Sequence, residues 1–389
     1  MARKGYIWER PEWPDFRMDQ AALAAPIALA RQEQGKVLGL FGAIGLPGTA
    51  AVVRDIWTEE AMATAAIEGD KLDLDAVRSS VMRRLGVEGA IGARVSRGVD
   101  GLLDVMQDAT GAYREELDDD RLCRWQSALF PGGASGIRRI AVGRYRESGA
   151  PMQIVSGPNG REKVHYEAPK SSEVAREMRR LLKWFERSRP RDGRKAPMDG
   201  IVRAAIAHLW FETIHPFEDG NGRVGRALID MALAQDVQSS QRFHSVSQQL
   251  MAQREAYYDA LAKAQRGTLD ATDWVSWFVT QFRLACVTSQ QVISMAIEKS
   301  RFWATHAQHP INARQRKALM RLLDAGRAGF EGGMSAEKYG NLTGASKATA
   351  TRDLGDLQKA GLLVATGQGR GTRYWVNVPG WPAMPRSRS

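Results

Sequence analysis

The chain has 389 residues, 43% of them hydrophobic and 25% charged. That balance belongs to a globular protein and excludes disordered, collagen-like and disulfide-scaffold classes, while the length allows two or three domains that each bury a core. The formal charge of +11 is concentrated after Ile311, where thirteen Lys and Arg stand against five Asp and Glu. Such a segment suits a polyanionic partner or simple solubility.

The opening MARKGYIWERPEWPDF has no apolar signal-peptide core. The uncharged run Val37–Val53 is shorter than the roughly 20 residues a membrane helix needs. It carries glycines and Pro47, so it reads as a helix end followed by a loop. Cys123 and Cys286 lie far apart and make neither a disulfide framework nor a zinc pattern, so a reducing, cytoplasmic compartment is expected, with no membrane partner.

Residues 1–115 read as a mainly helical region. Residues 116–300 open with a hairpin whose arms are Ile140–Arg146 and Met152–Val155, followed by Lys163–Tyr166. The acidic run Asp118–Asp120 reads as solvated. Helices are expected over Ser172–Glu186, Met198–Phe211, Gly222–Ala234, Gln248–Gln265 and Ala271–Glu298. Pro310 then punctuates the chain. Residues 311–378 hold short helices and a strand pair, Leu362–Thr366 and Arg373–Val378, around a GQGRG tip, and residues 379–389 read as a disordered tail.

The chemistry is concentrated in His215–Arg226, HPFEDGNGRVGR. Asp219-Gly220-Asn221-Gly222 is a sharp turn, because Gly and Asn tolerate positive φ and let backbone approach a ligand. A helix follows at once, and its free N–H groups favour an anion. Arg223 and Arg226, three apart, share a face and add charge suited to phosphate oxygens. Glu218 and Asp219 supply hard oxygens of the kind that bridge Mg²⁺ to substrate phosphates. His215 precedes the turn, where an imidazole can take a proton at neutral pH. Phe217 would anchor the loop to the core.

This stretch resembles the signature of the Fic family, H-P-F-x-D/E-G-N-G-R-x-x-R, at every specified position. Members are mostly nucleotidyltransferases that move AMP from ATP to a Ser, Thr or Tyr hydroxyl of a protein. The resemblance implies His215 as general base and Asp219 as holder of Mg²⁺. It implies that Gly220, Asn221, Gly222 and Arg223 cradle the inner phosphates, with Arg226 at the γ-phosphate. Gly143–Pro169 resembles the family's flap, which positions a target segment by strand addition. Ser247–Gln265 resembles its nucleobase-side helix, with Tyr257, Tyr258 and Leu261 walling the base and Gln265 at its edge. Upstream, Thr64–Gly69, TAAIEG, resembles the inhibitory motif S/T-x-x-x-E-G/N of members that restrain themselves. Thr64 and Glu68, four apart on a helix, would face the same way, and Glu68 would pair with Arg226 in the place of the γ-phosphate.

The C-terminal segment has the pattern of a winged helix. Ser346 starts an amphipathic helix through Leu363, with Lys347, Thr349 and Arg352 outward and Arg370 and Arg373 on the wing. DNA or RNA binding and protein contact both fit. The expected whole is a mainly α chain: a Fic-type core with a β-hairpin, an N-terminal regulatory region and a C-terminal winged helix-turn-helix. Expected partners are ATP, a target protein that includes the chain itself, DNA through the last module, and a second copy in a homodimer.

Overall fold

The protein is described by a computed structural model over residues 5–43, 46–86, 97–147, 149, 151–156, 163–191 and 196–381. It is mainly helical and divides into two compact units: Met1–Ala43 with Thr49–Gln290, and Ile44–Gly48 with Gln291–Ser389. In chain order the first helices are α1 (Gln20–Ala43), α2 (Leu46–Ile67), α3 (Leu74–Arg84), α4 (Arg97–Gly111) and α5 (Asp119–Leu129). Two small antiparallel hairpins follow, β1 (Ala134–Ser135) with β2 (Arg138–Arg139), and β3 (Gln153–Ser156) with β4 (Lys163–Glu167). Then come α6 (Ser171–Arg187), α7 (Gly200–Ile214), α8 (Asn221–Val237), α9 (Val246–Ala252), α10 (Arg254–Ala264) and α11 (Thr272–Thr305).

The core of the first unit is built on α7. Its sequence is apolar on all sides, and every one of its residues is buried, as expected of a helix surrounded by others. Asp199 caps it, accepting the N–H groups of Ile201 and Val202 at 2.8 and 3.3 Å. A cap of this kind contributes about 1 kcal/mol. Helix α8 packs along α7, and α4 and α5 pack on α8. The N-terminal segment is stitched on from outside: the Trp13 indole donates to Glu177 at 2.8 Å, and Arg180 donates to the Trp13 carbonyl at 2.7 Å.

Helix α2 is held by a buried polar cluster. Glu60 accepts from the Ser245 hydroxyl at 2.8 Å, from the Ser247 N–H at 3.1 Å, and from the Ser247 hydroxyl. Beside it Arg242 grips Asp230 of α8 with two bonds of 2.7 Å. Buried charges persist only when paired in this way.

Several expectations change. The run Val37–Val53 is almost wholly helical, since α1 reaches Ala43 and α2 starts at Leu46. Pro47 sits in the first turn, where its missing N–H costs nothing. Residues 140–146 form no strand. Their N–H groups are claimed elsewhere: Arg146 donates to the Pro216 carbonyl, Ala141 to Glu218 and Gly143 to Gln126. The hairpin is β3–β4, bulged between Ile154 and Val155, and the tip of the expected flap, residues 157–162, lies outside the described residues. The acidic run is exposed at Asp118 and Asp120, as expected, but Asp118 also caps α5 and the half-buried Asp119 accepts the Tyr145 hydroxyl at 2.5 Å. The single helix expected over 248–265 breaks at Gln253 into α9 and α10.

The second unit contains α12 (Ala313–Asp324), α13 (Ala336–Thr343), α14 (Lys347–Lys359), β5 (Leu363–Thr366) and β6 (Arg373–Val376). Leu319, Leu322, Leu323, Tyr339, Leu354 and Leu357 form its core. Asp353 ties the helices, accepting from Tyr339 at 2.8 Å and Arg314 at 3.0 Å. Ser346 caps α14 through the Thr349 N–H. Trp381 packs into the same core, and its indole donates to Glu298 at 2.6 Å. Packed chain therefore runs past the boundary expected at 378; residues 382–389 lie outside the described residues.

Candidate active site

Helix α7 ends at His215, whose φ of 50° turns the chain out of the helix. Non-glycine residues rarely hold such a value, so the conformation is fixed by its surroundings. Arg146, buried beside it, donates to the carbonyls of His215, Ile214 and Pro169. Burial pushes the Arg146 pKa down to about 10, and among the described residues its guanidinium meets carbonyl dipoles rather than a carboxylate. The imidazole remains partly accessible, with its Nδ1 3.6 Å from a carboxylate oxygen of Glu212.

The turn after Phe217 is locked by Asn221. Its side chain accepts from the Phe217 N–H at 2.9 Å and donates to the Phe217 carbonyl at 2.8 Å. The Asn221 amide therefore shapes the loop, and only its backbone is left to face a ligand. Gly220, with φ of 87°, makes the bend, and a Cβ there would collide with the Phe130 ring. Asp219 accepts from the Gly220 N–H at 2.5 Å and lies 3.7 Å from Arg223. Glu218 is tied to the Ala141 N–H at 3.1 Å, so Asp219 is the freer carboxylate. Among the described residues no three acidic, histidine or cysteine side chains converge as a metal cage. A cation here would have one protein carboxylate, which suits Mg²⁺ shared with a triphosphate.

Beyond the turn, the N-terminus of α8 faces the end of α2. Arg226 is almost fully buried and donates to the Thr64 hydroxyl at 2.6 Å, the Thr64 carbonyl at 2.9 Å and Glu68 at 2.7 Å. Burial alone would weaken its charge, but Glu68, with Tyr257 and Glu212 nearby, more than offsets this and raises its pKa. The Glu68 carboxylate lies directly over Gly222, where any Cβ would strike it. It thus fills the position that an anion at this helix N-terminus would take. Helix α2 ends at Ile67, so Glu68 sits in the following turn rather than on the helix. It meets Arg226 nonetheless.

A second ion pair was not foreseen: Arg223, stacked over the Phe130 ring at 4.9 Å, donates to Asp70 at 3.1 Å. Both signature arginines are therefore engaged by carboxylates two residues apart, and the alternation E-G-D was the sequence signal for it. Glu212 and Arg146 were also missed. Glu212, three residues before His215, was the more findable by spacing.

Helix α10 supplies the other wall. Tyr257 is buried, its hydroxyl 2.8 Å from His208 Nε2, so it does not face open space. Tyr258 is 40% exposed, with its hydroxyl 3.4 Å from the Ile67 carbonyl. Leu261 is buried, and so is Gln265, whose side-chain nitrogen has no hydrogen-bond partner. In the second unit Lys347, Arg352 and Arg370 are exposed. Arg373 is spent on its own hairpin, bonding the carbonyls of Arg370 and Thr372.

Fold and motif together define a helical protein whose chemistry sits between a buried helix and the N-terminus of its neighbour. Residues 116–233 match the Fic/DOC family, and residues 6–87 match a domain of unknown function, DUF4172; the chain therefore carries a Fic/DOC domain. It is 35% identical over 79 residues to a probable protein adenylyltransferase of Aquifex aeolicus (strain VF5), a match covering 20% of this chain and 22% of that relative. A crystal structure of a Fic family protein from Desulfovibrio desulfuricans G20 has a similar fold. Its TM-score is 0.53 at 21% identity, covering 92% of this chain and 97% of that one. Residues 134–508 of Fic-1 from C. elegans give a TM-score of 0.51 at 20% identity, covering 72% and 75% of the two chains. At these identities the likeness concerns the fold alone. Among the described residues no helix is long and apolar enough to cross a membrane.

Proposed function

We propose that the chain is a protein adenylyltransferase that restrains itself through Glu68. ATP would enter with its phosphates against the Gly220–Arg223 backbone and the two arginines, once the carboxylates of Glu68 and Asp70 have withdrawn. Mg²⁺, held by Asp219, would neutralise phosphate charge. His215 takes the proton of a Ser, Thr or Tyr hydroxyl whose oxygen attacks the α-phosphorus. The bond from that phosphorus to the bridging oxygen breaks, and pyrophosphate leaves. The observation that carries the reading is the Glu68 carboxylate, 2.7 Å from Arg226 and seated over Gly222. That carboxylate occupies the place this reading gives to the γ-phosphate. The Aquifex aeolicus relative supports the reaction type.

The target protein includes the chain itself. In a Glu68→Gly background, His215→Ala should abolish transfer of labelled AMP, a loss of at least about 100-fold. Transfer that persists would mean another base is at work.

We propose further that the second unit is a winged helix that binds nucleic acid. The turn at Gly344 between α13 and α14, the β5–β6 pair and the bridge from Met334 to Tyr374 support this. The exposed Lys347, Arg352 and Arg370 are the contacts expected of it. Binding of random duplex DNA by the full chain should weaken steeply as salt rises. Salt-independent or absent binding would leave protein contact as this unit's role.

A further inference from the structure

Helix α7 carries two titratable side chains toward α8, His208 and Glu212 at i and i+4, and His215 follows at its C-terminal cap. None of the three is used up by ordinary packing partners. Glu212 is buried, and its Oε1 has no hydrogen-bond partner. Its Oε2 lies 3.6 Å from His215 Nδ1, which is buried and also without a partner. His208 is fully buried, with Nε2 on the Tyr257 hydroxyl and Nδ1 free. Both Glu212 and His208 lean over Gly225 of α8. A Cβ at Gly225 would strike Glu212 Oε1 and come within 3.1 Å of His208 Nδ1. The glycine thus makes the space in which the carboxylate sits. A buried carboxylate with no lysine or arginine bond costs free energy, so its place beside the imidazole calls for an account.

We propose that Glu212 is a positioning residue for His215. Its carboxylate takes the Nδ1–H of the imidazole, holding the tautomer that leaves Nε2 free for the substrate hydroxyl. It also stabilises the imidazolium formed when the proton arrives. The inference rests on the reading of His215 as the base of AMP transfer. The surrounding groups agree with it. Burial would raise the Glu212 pKa, but His215, His208 and Arg226 outweigh it and hold the carboxyl below its ordinary range. Burial pushes the His208 pKa down, so that ring is a neutral spacer between Glu212 and Tyr257. The other charged and titratable groups facing this line are Arg226 from α8, Tyr257 from α10, Tyr166 from β4, Glu68 from the turn after α2, and Arg146, which holds the His215 carbonyl.

The test uses the full chain in the Glu68→Gly background with ATP and Mg²⁺. Glu212→Gln should lower the rate of self-modification about 100-fold with ATP affinity unchanged, and move the acid limb of the rate–pH profile to lower pH. Glu212→Asp, which keeps the charge, should recover part of that rate. A Glu212→Gln protein as fast as its parent, or an aspartate variant no better than the glutamine one, would overturn the proposal. Nitrogen NMR of the His215 ring reads the tautomer without turnover. If the parent proves inactive the adenylylation reading fails, yet the tautomer must still change in Glu212→Gln; an unchanged ring would overturn the positioning role by itself.

Discussion

Arg226 spends its donors on one hydroxyl, one carbonyl and one carboxylate, all from Thr64 and Glu68. Its Nε and Nη2 are thus engaged by protein oxygens, and on the proposed reading a nucleotide would have to displace Glu68. Histidines set a different limit. His244 is buried against Phe282 beside Arg242, and burial, with the Arg242 charge, pushes its pKa down to about 3. Above the unfolded value of about 6.5 the ring is neutral in both states and contributes nothing to pH dependence. Below it the unfolded chain takes up a proton that the folded site refuses until about pH 3, so stability falls as the solution is acidified. At about pH 5 the loss from this group is about 2 kcal/mol. Thermal melts should show the midpoint dropping from about pH 7 to about pH 5, and dropping less in His244→Gln. Equal drops in the two proteins would contradict the assignment. The signature residues were legible from the sequence because contiguous residues of unlike chemistry specify one turn. Arg146 was not, since folding brings its partners to it from far along the chain; Asp70 and Glu212 showed only as spacings, two residues after Glu68 and three before His215.

At the scale of elements, the close approach of α4 and α5 depends on Gly101. A Cβ at that position would run into the Ala128 carbonyl, which is backbone and cannot rotate away. Gly101→Ala should therefore destabilise the protein by about 2 kcal/mol through overpacking, read as a lower midpoint in chemical denaturation. An unchanged midpoint would mean that the two helices part without cost. Helices α6, α7 and α8 were readable almost to their ends because their signals are local: the apolar stripe of α6, the continuous apolar run of α7 behind its Asp199 cap, and the Gly220 turn that opens α8. The arm expected over 140–146 was not. Its Ile140, Val142 and Tyr145 are of the kind strands favour, but Pro216, Glu218 and Gln126 claim its N–H groups across long separations in the chain. Glycine and proline misled in the same way at Val37–Val53, where Pro47 opens a helix instead of ending one.

Across the molecule, the positively charged C-terminal segment lies within the second compact unit, which starts at Gln291 and also takes in Ile44–Gly48. Two things escaped the reading of the sequence. One is Trp381, whose packing carries ordered chain beyond the last strand. The other is the cluster of Glu60, Ser245, Ser247, Arg242 and Asp230 that ties α2 to α8 through buried polar contacts. On the proposed reading, Glu68 sits against Arg226 and Gly222 where a nucleotide's outer phosphate would lie. The most direct measurement is the intact mass of the Glu68→Gly protein after incubation with ATP and Mg²⁺. The expected result is a gain of one or more AMP units, absent from the wild-type chain treated alike. A Glu68→Gly protein that binds ATP yet keeps its unmodified mass, alone and with candidate targets, would contradict that reading.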